Sequence, residues 1–144
     1  MADLKIHLQV ITPKEVKINQ DADMVIMRST SGDMGILPGH KLCTTALDDG
    51  VLRIVEDKEE RRLAVYGGFA EVQDDVITIV TNDAEWPEEI DRIRAESDRE
   101  HAEQRLNERI NDVEIRNAQV LLRRSLVRIE VSSYPFISKV DTKE

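Results

Sequence analysis

Chemistry in this chain has to come from a few spacings. In IDRIRA, residues 90–95, Asp91 and Arg94 stand three apart, neighbours on one face of a helix and within ion-pair reach. Glu88 and Arg92, four apart, form a second such pair. Further along, Arg124 and Arg128 are four apart as well. Sharing a face, they repel by about 0.2–0.5 kcal/mol, and a pair kept against that repulsion suits a phosphate or an acidic partner surface. The same arginines would also serve the helix macrodipole, which favours cations near a C-terminus. The residues alone leave both readings open. The uneven charge is plain in either case: residues 88–114 hold ten acidic and five basic side chains, whereas 115–131 hold four arginines (Arg116, Arg123, Arg124, Arg128) and one glutamate.

Other chemistries find no support. No GxxxxGK[ST] loop is present, which argues against a P-loop nucleotide hydrolase. His7, His40 and His101 are scattered and have no second ligand at metal spacing, so no metal site is expected. Cys43 has no base beside it that sequence can identify and reads as a small, half-buried strand residue. No nucleophile–base pattern points to an enzyme. With 29 acidic against 20 basic residues the net charge is −9, the wrong sign for nucleic acid or for polybasic docking on anionic lipid. The opening MADLKIHLQVI lacks the basic region and apolar run of a secretory leader. No stretch reaches the ~18 apolar residues of a membrane span, so no direct insertion is expected and any membrane role comes through a partner.

The elements that would position these residues change near residue 87. All six glycines lie at or before Gly68, and from Glu88 to Tyr134 there is neither Gly nor Pro. In the first part Leu4, Ile6, Leu8 and Val10 alternate with polar residues, the period of a half-buried strand. Val51–Val55 follows Asp48-Asp49-Gly50, Leu63–Val72 flanks Gly67-Gly68, and Val76–Val80 follows Asp74-Asp75. Short strands with turn chemistry every ~8–12 residues predict a sandwich or barrel. In the second part Pro87 suits a first helical position and Glu88 and Glu89 a first turn. Ile90, Ile93, Ala102, Leu106, Ile110 and Val113 recur at helical spacing, followed by Val120 and Val127. A single helix of this length would span roughly 70 Å, too long for a small domain. Asn107, Asn111 and Asp112 mark the break. The expected fold is an all-β sandwich over residues 1–86, an antiparallel helical hairpin over 87–134 and a flexible tail over 135–144. Without Gly or Pro at its break, the hairpin has an extended form as a real alternative.

Two segments of the first part carry a resemblance. SGDMGILPGH, residues 31–40, and YGGFAEV, residues 66–72, are similar to the two signatures of the epsilon subunit of F-type ATP synthases, and IDRIRA matches the [IL]DxxRA motif of those members that bind ATP. Together with the order of sandwich, junction and two helices, the resemblance covers roughly residues 3–131. It implies a non-catalytic subunit of the central stalk, or rotor, that helps couple ion flow to ATP synthesis. The implied partners are the gamma subunit, the polar loops of the c-ring and, through the C-terminal helices, the catalytic alpha/beta head. The implied place is the cytoplasmic face of the cell membrane, as a peripheral part of the synthase. Residue by residue, the resemblance puts Asp33 and Met34 at the ring loops with His40 beside the gamma interface. It puts Glu85, Ile90, Asp91, Arg94, Ala95, Arg124 and Arg128 at an ATP site, and Arg116, Arg123, Arg124 and Arg128 at an inhibitory contact with the beta subunit. No cofactor is required. ATP is implied only as a regulatory ligand, and His101 and Asn117 stand where ATP-binding members have arginines, so binding is expected to be millimolar or absent. A free-standing ATP-sensing module is the second reading, and a helical adaptor the third.

Overall fold

The computed structural model describes residues 4–133 and the backbone of 138–139. Among the described residues ten strands precede the helical part and one follows it: β1 Ile6–Ile11, β2 Val16–Ala22, β3 Met24–Ser29, β4 Gly32–Ile36, β5 Cys43–Leu47, β6 Gly50–Glu56, β7 Glu59–Val65, β8 Gly68–Gln73, β9 Val76–Val80 and β10 Ala84–Glu85 come before the helices, and β11, Ser138–Lys139, comes after them. Their pairing runs β10-β7-β6-β3-β5-β8-β9-β1-β2, with β4 on β3 and β11 on β7. Neighbours are antiparallel except β1 and β9, which run parallel. The sheet wraps around Ile6, Leu8, Val10, Val25, Met27, Leu52, Ile54, Leu63, Ile77 and Ile79, all essentially buried. The core is aliphatic, as five aromatic residues in the chain require.

Two hairpins turn on residues with positive φ, Asp57-Lys58 between β6 and β7 and Asp74-Asp75 between β8 and β9. Two-residue loops of this kind match the twist of the flanking strands, and Asp tolerates the left-handed region better than most residues. SGDMGILPGH, whose Gly32, Gly35 and Pro38-Gly39 read by themselves as a rigid loop at one end of the sandwich, is not one loop. Residues 32–36 are β4, paired with β3 from Val25↔Ile36 to Ser29↔Gly32, and only the part after Ile36 turns. The glycines at 32 and 35 hide a strand from a reading based on turn residues.

The junction also differs from expectation. Pro87 opens a 3-10 turn, Pro87–Glu89, and the first α-helix, α1, is Arg92–Leu106. Asp91 is its N-cap: the Arg94 backbone N–H donates to Asp91 Oδ1 at 3.1 Å. The expected Asp91–Arg94 ion pair is therefore a cap, worth about 0.5–2 kcal/mol to the helix. Arg92 pairs forward with Glu96, at 3.3 Å, and not back with Glu88. The second helix, α2, is Asp112–Ser132, capped by Asn111, whose side chain accepts from the Glu114 N–H at 2.9 Å. The break thus falls at the Asn cluster. Tyr134 and Pro135, read as the latest stop, lie outside the described residues. So does the expected flexible tail, apart from the two residues of β11.

Small residues make the hairpin seam. Ala95 and Ala102 of α1, and Ala118 and Ser125 of α2, are buried, whereas Ile93 and Val113 are 82% and 64% exposed. Helical spacing alone could not tell which apolar residues faced inward. Against the sandwich the hairpin buries a separate small cluster: Val127 and Val131 of α2 with Ile90, on Val51, Ala64 and Tyr66.

Candidate functional site

A cleft of about 330 Å³ opens between β10, the start of α1 and the end of α2. Its lining is Glu85, Glu89, Asp91, Arg94, Ala95, Asp98 and Arg128. Each side chain has a local cause. Glu85 sits on β10, held against β7 by the pair Glu85↔Ala64. Asp91 caps α1, Arg94 and Ala95 occupy its first turn, and Arg128 projects from the last turns of α2. Glu89 Oε1 accepts the Trp86 N–H at 2.9 Å and meets Lys17 Nζ at 2.6 Å. Burial would raise the Glu89 carboxyl, but Lys17 and the Trp86 N–H outweigh it and hold it below the usual glutamate range. Across the cleft Arg128 Nε donates to Glu85 Oε1 at 2.9 Å, and the same oxygen accepts the Tyr66 hydroxyl at 2.7 Å. The Arg128 guanidinium lies 4.9 Å from the centroid of the Tyr66 ring, within cation–π range. Burial first, and then the bond to Glu85, push the Tyr66 hydroxyl well above its ordinary pKa.

The structure brings together Glu85, Asp91, Arg94, Ala95 and Arg128 from the sequence-derived set. Ile90 packs beside them in the apolar cluster. Arg124 does not line the cleft. Its Nε reaches Asp49 Oδ2 at 3.4 Å, beside Arg123 Nε on the same oxygen at 2.9 Å. His101 and Asn117 line a different notch of about 180 Å³ farther along the hairpin, with Arg105, Glu114 and Leu121. Arg116 is exposed on α2. Among the described residues no group of three or more His, Cys, Asp or Glu could hold a metal ion, and no helix is long and apolar enough to cross a membrane.

At the sandwich, Asp33 is exposed on β4 and bonds Arg28 Nε at 3.3 Å. Met34 follows it, partly buried and packed on the core. His40 sits after the Pro-Gly turn with its Nδ1 2.9 Å from the Lys41 carbonyl. Leu37 and Leu42 flank it, 55% and 69% exposed. The turn is pinned from a distance: the Gly39 N–H donates to Asp75 Oδ1 at 2.7 Å.

Residues 5–87 match the family model for the ATP synthase delta/epsilon chain beta-sandwich domain, and residues 88–133 match that for its long alpha-helix domain. The chain belongs to the ATP synthase delta/epsilon family. Its relatives include the ATP synthase epsilon chains of Bacillus velezensis, 39% identical over 127 residues that cover 88% of this chain and 96% of that one, and of Alkaliphilus oremlandii, 43% identical over 101 residues covering 70% and 75%. The chloroplastic epsilon chain of Guillardia theta is 36% identical over 130 residues, covering 90% and 99%. Among solved structures, a chain of the Euglena gracilis mitochondrial ATP synthase, determined as OSCP/F1/c-ring, superposes with a TM-score of 0.79 at 26% identity, over 90% of this chain and 82% of that one.

For a delta/epsilon chain the site contains groups that the motif reading missed. Tyr66 stands in the YGGFAEV signature but gave no sign that its hydroxyl would serve Glu85. Asp49 sits in the turn Asp48-Asp49-Gly50, where an aspartate before glycine reads as turn chemistry. Only the fold shows that its carboxylate is buried and faces α2. Lys17 and Glu89, 72 residues apart, carried no local signal.

Proposed function

We propose that the chain is an epsilon-type subunit of the ATP synthase central stalk whose helical hairpin restrains ATP hydrolysis when it leaves the sandwich. It is a structural and regulatory subunit, not a catalyst. The observation that carries the regulatory part is the state of the α2 arginines. Arg123, Arg124 and Arg128 are all engaged by sandwich-side carboxylates, Asp49 and Glu85. The apolar contact beneath them is small. A docked helix held over a small apolar patch by ion pairs whose arginines keep a side toward solvent can be detached, since water takes over the arginines' solvation as the pairs part. Once free, the same guanidiniums are donors for an acidic segment of the catalytic head, which is the contact proposed for Arg116, Arg123, Arg124 and Arg128.

The sandwich supplies the other partners in this reading. Asp33 and Met34 on β4 and His40 after the Pro-Gly turn face the polar loops of the c-ring and the gamma subunit, and the exposed Leu37 and Leu42 add apolar surface there. The assembled subunit is peripheral, on the cytoplasmic face of the membrane. Replacing Arg123, Arg124 and Arg128 by Ala in reconstituted synthase relieves inhibition of hydrolysis; unchanged hydrolysis sinks the reading.

ATP is proposed as a regulatory ligand of the Glu85–Arg128 cleft, bound weakly. Four carboxylates, Glu85, Glu89, Asp91 and Asp98, line it against two arginines. An incoming phosphate must displace Glu85 from Arg128, and neither His101 nor Asn117 is in the cleft to compensate. Calorimetric titration with ATP, with and without magnesium, tests this. Micromolar affinity would support the alternative of a free-standing ATP-sensing module.

A further inference from the structure

We propose that Asp49 is the latch that sets how readily the hairpin leaves the sandwich, and that its loss strengthens inhibition whereas loss of the arginines it holds weakens it. The second half rests on the inhibitory reading above; the first does not. Asp49 lies between β5 and β6, 6% exposed although it is an aspartate in a turn. Its Oδ2 takes two guanidinium bonds, from Arg123 Nε at 2.9 Å and Arg124 Nε at 3.4 Å. Both donors come from α2, 74 and 75 residues away in sequence. Bonds between ionised partners are roughly twice as strong as neutral ones, and the partners differ in exposure: the Asp49 side chain is 4% exposed, those of Arg123 and Arg124 54% and 42%. The guanidiniums therefore keep an open side toward solvent while the carboxylate is covered by the helix it holds.

That asymmetry separates the two members of the pair. When α2 leaves, Asp49 returns to water and its pairing is relinquished, so a change at Asp49 acts on the docked state alone. Arg123 and Arg124 travel with the helix and act in both states. They hold it down when docked and offer charge to an acidic partner surface when released. Removing them opens the hairpin but also strips the released helix of its donors. Asp49 and that acidic surface compete for the same two side chains, and a ligand or partner shifts the balance only by its differential affinity for the two forms.

The test uses the full chain and hydrogen exchange across α2. Asp49→Asn is expected to lower α2 protection about tenfold, equivalent to ~1.4 kcal/mol, with β1, β8 and β9 unchanged. Combining it with Arg123→Ala and Arg124→Ala should open α2 no further than the two arginine changes alone. Unchanged α2 protection overturns the latch, as does additivity of the three changes. Equal loss of protection in the sandwich strands overturns it too, because Asp49 would then support the sandwich itself. In reconstituted synthase, Asp49→Asn should deepen inhibition and the arginine variant relieve it. Release of α2 without any change in hydrolysis would leave the latch standing and remove the inhibitory reading.

Discussion

Arg128 and Glu85 meet across 43 residues of sequence, Nε to Oε1 at 2.9 Å, where the last turns of α2 reach the two-residue strand that leads out of the sandwich. Both side chains are about a quarter exposed, so the pair is screened less than a surface bridge yet not fully desolvated. Burial opposes the charge on Arg128, but Glu85 outweighs it and raises the Arg128 pKa further. The Tyr66 hydroxyl on the same carboxylate oxygen fixes its orientation. Glu85→Gln keeps an acceptor but loses the charge, and should weaken hairpin docking by about 1–2 kcal/mol. Tyr66→Phe should cost about 1 kcal/mol while leaving the ion pair in place. Exchange rates of α2 amides in the two variants measure both effects, and a larger loss in Tyr66→Phe would contradict this ranking.

Glu60 gives the fold an acid-sensitive element remote from the hairpin cleft. Its side chain is 4% exposed between Arg53 Nη2 at 2.6 Å and Arg62 Nε at 2.7 Å. Burial would raise its carboxyl, but the two guanidiniums overcome that and hold it below the ordinary range. A depressed folded-state pKa means stability that is full above the unfolded glutamate value and lost as pH falls through the folded one. Thermal melts of wild type should therefore fall more steeply below the ordinary glutamate range than those of Glu60→Gln. Breaking the pair should itself cost about 2–4 kcal/mol near neutral pH, since it leaves two arginines against a neutral group. Parallel acid limbs in the two melts would show that Glu60 is not the titrating group.

What was legible in the sequence follows from how local its cause is. Strands β1, β6 and β9 announced themselves by alternation and flanking turns, and the hairpin break by Asn107, Asn111 and Asp112. Strand β4 was lost because its glycines read as turn residues, although its pairing to β3 needs only backbone. The cleft was legible as far as IDRIRA reaches: Asp91, Arg94 and Ala95 are set by one helix start. Arg124, which the resemblance assigns with Arg128 to the ATP site, does not line the cleft. They are four apart, but the helix turns Arg124 to Asp49 and Arg128 to Glu85, and no local pattern encodes the sandwich residue opposite. Asp49, Tyr66 and Lys17 owe their roles to partners 19 to 75 residues distant.

Gly68 is the glycine most tightly set by its surroundings. Its φ is +112°, and a Cβ there would collide with the carbonyl oxygen of Val80 on the neighbouring strand. Leu47↔Gly68 and Phe69↔Val80 pair around it, so neither side can withdraw without opening the sheet. Gly68→Ala thus combines a strained dihedral with a backbone clash and should destabilise the sandwich by about 3 kcal/mol or more. A urea melt measures it, and a loss under about 1 kcal/mol would mean that β9 shifts freely. Gly35→Ala is the control, because a Cβ at Gly35 meets nothing within 4 Å.

The outer edge of β7 is shared by two short strands from opposite ends of the hairpin. Strand β10 covers Ala64 and Val65 where the chain enters the helices. Strand β11 covers Glu59 and Glu60 after it leaves them. The family match ends at residue 133, so β11 belongs to a segment beyond the shared domain. Ser133 and Ser138 are five residues apart, and five residues span at most ~18 Å. Helix α2 therefore cannot move far from the sandwich while β11 stays paired. Ending the chain at Ser133 should raise hairpin release severalfold, for a two-residue pairing of about 1 kcal/mol, without changing the melt of the sandwich. Limited trypsin cleavage at Arg123 and Arg124 reads this directly. Equal cleavage rates with and without residues 134–144 would show that the hairpin is held by α2 contacts alone.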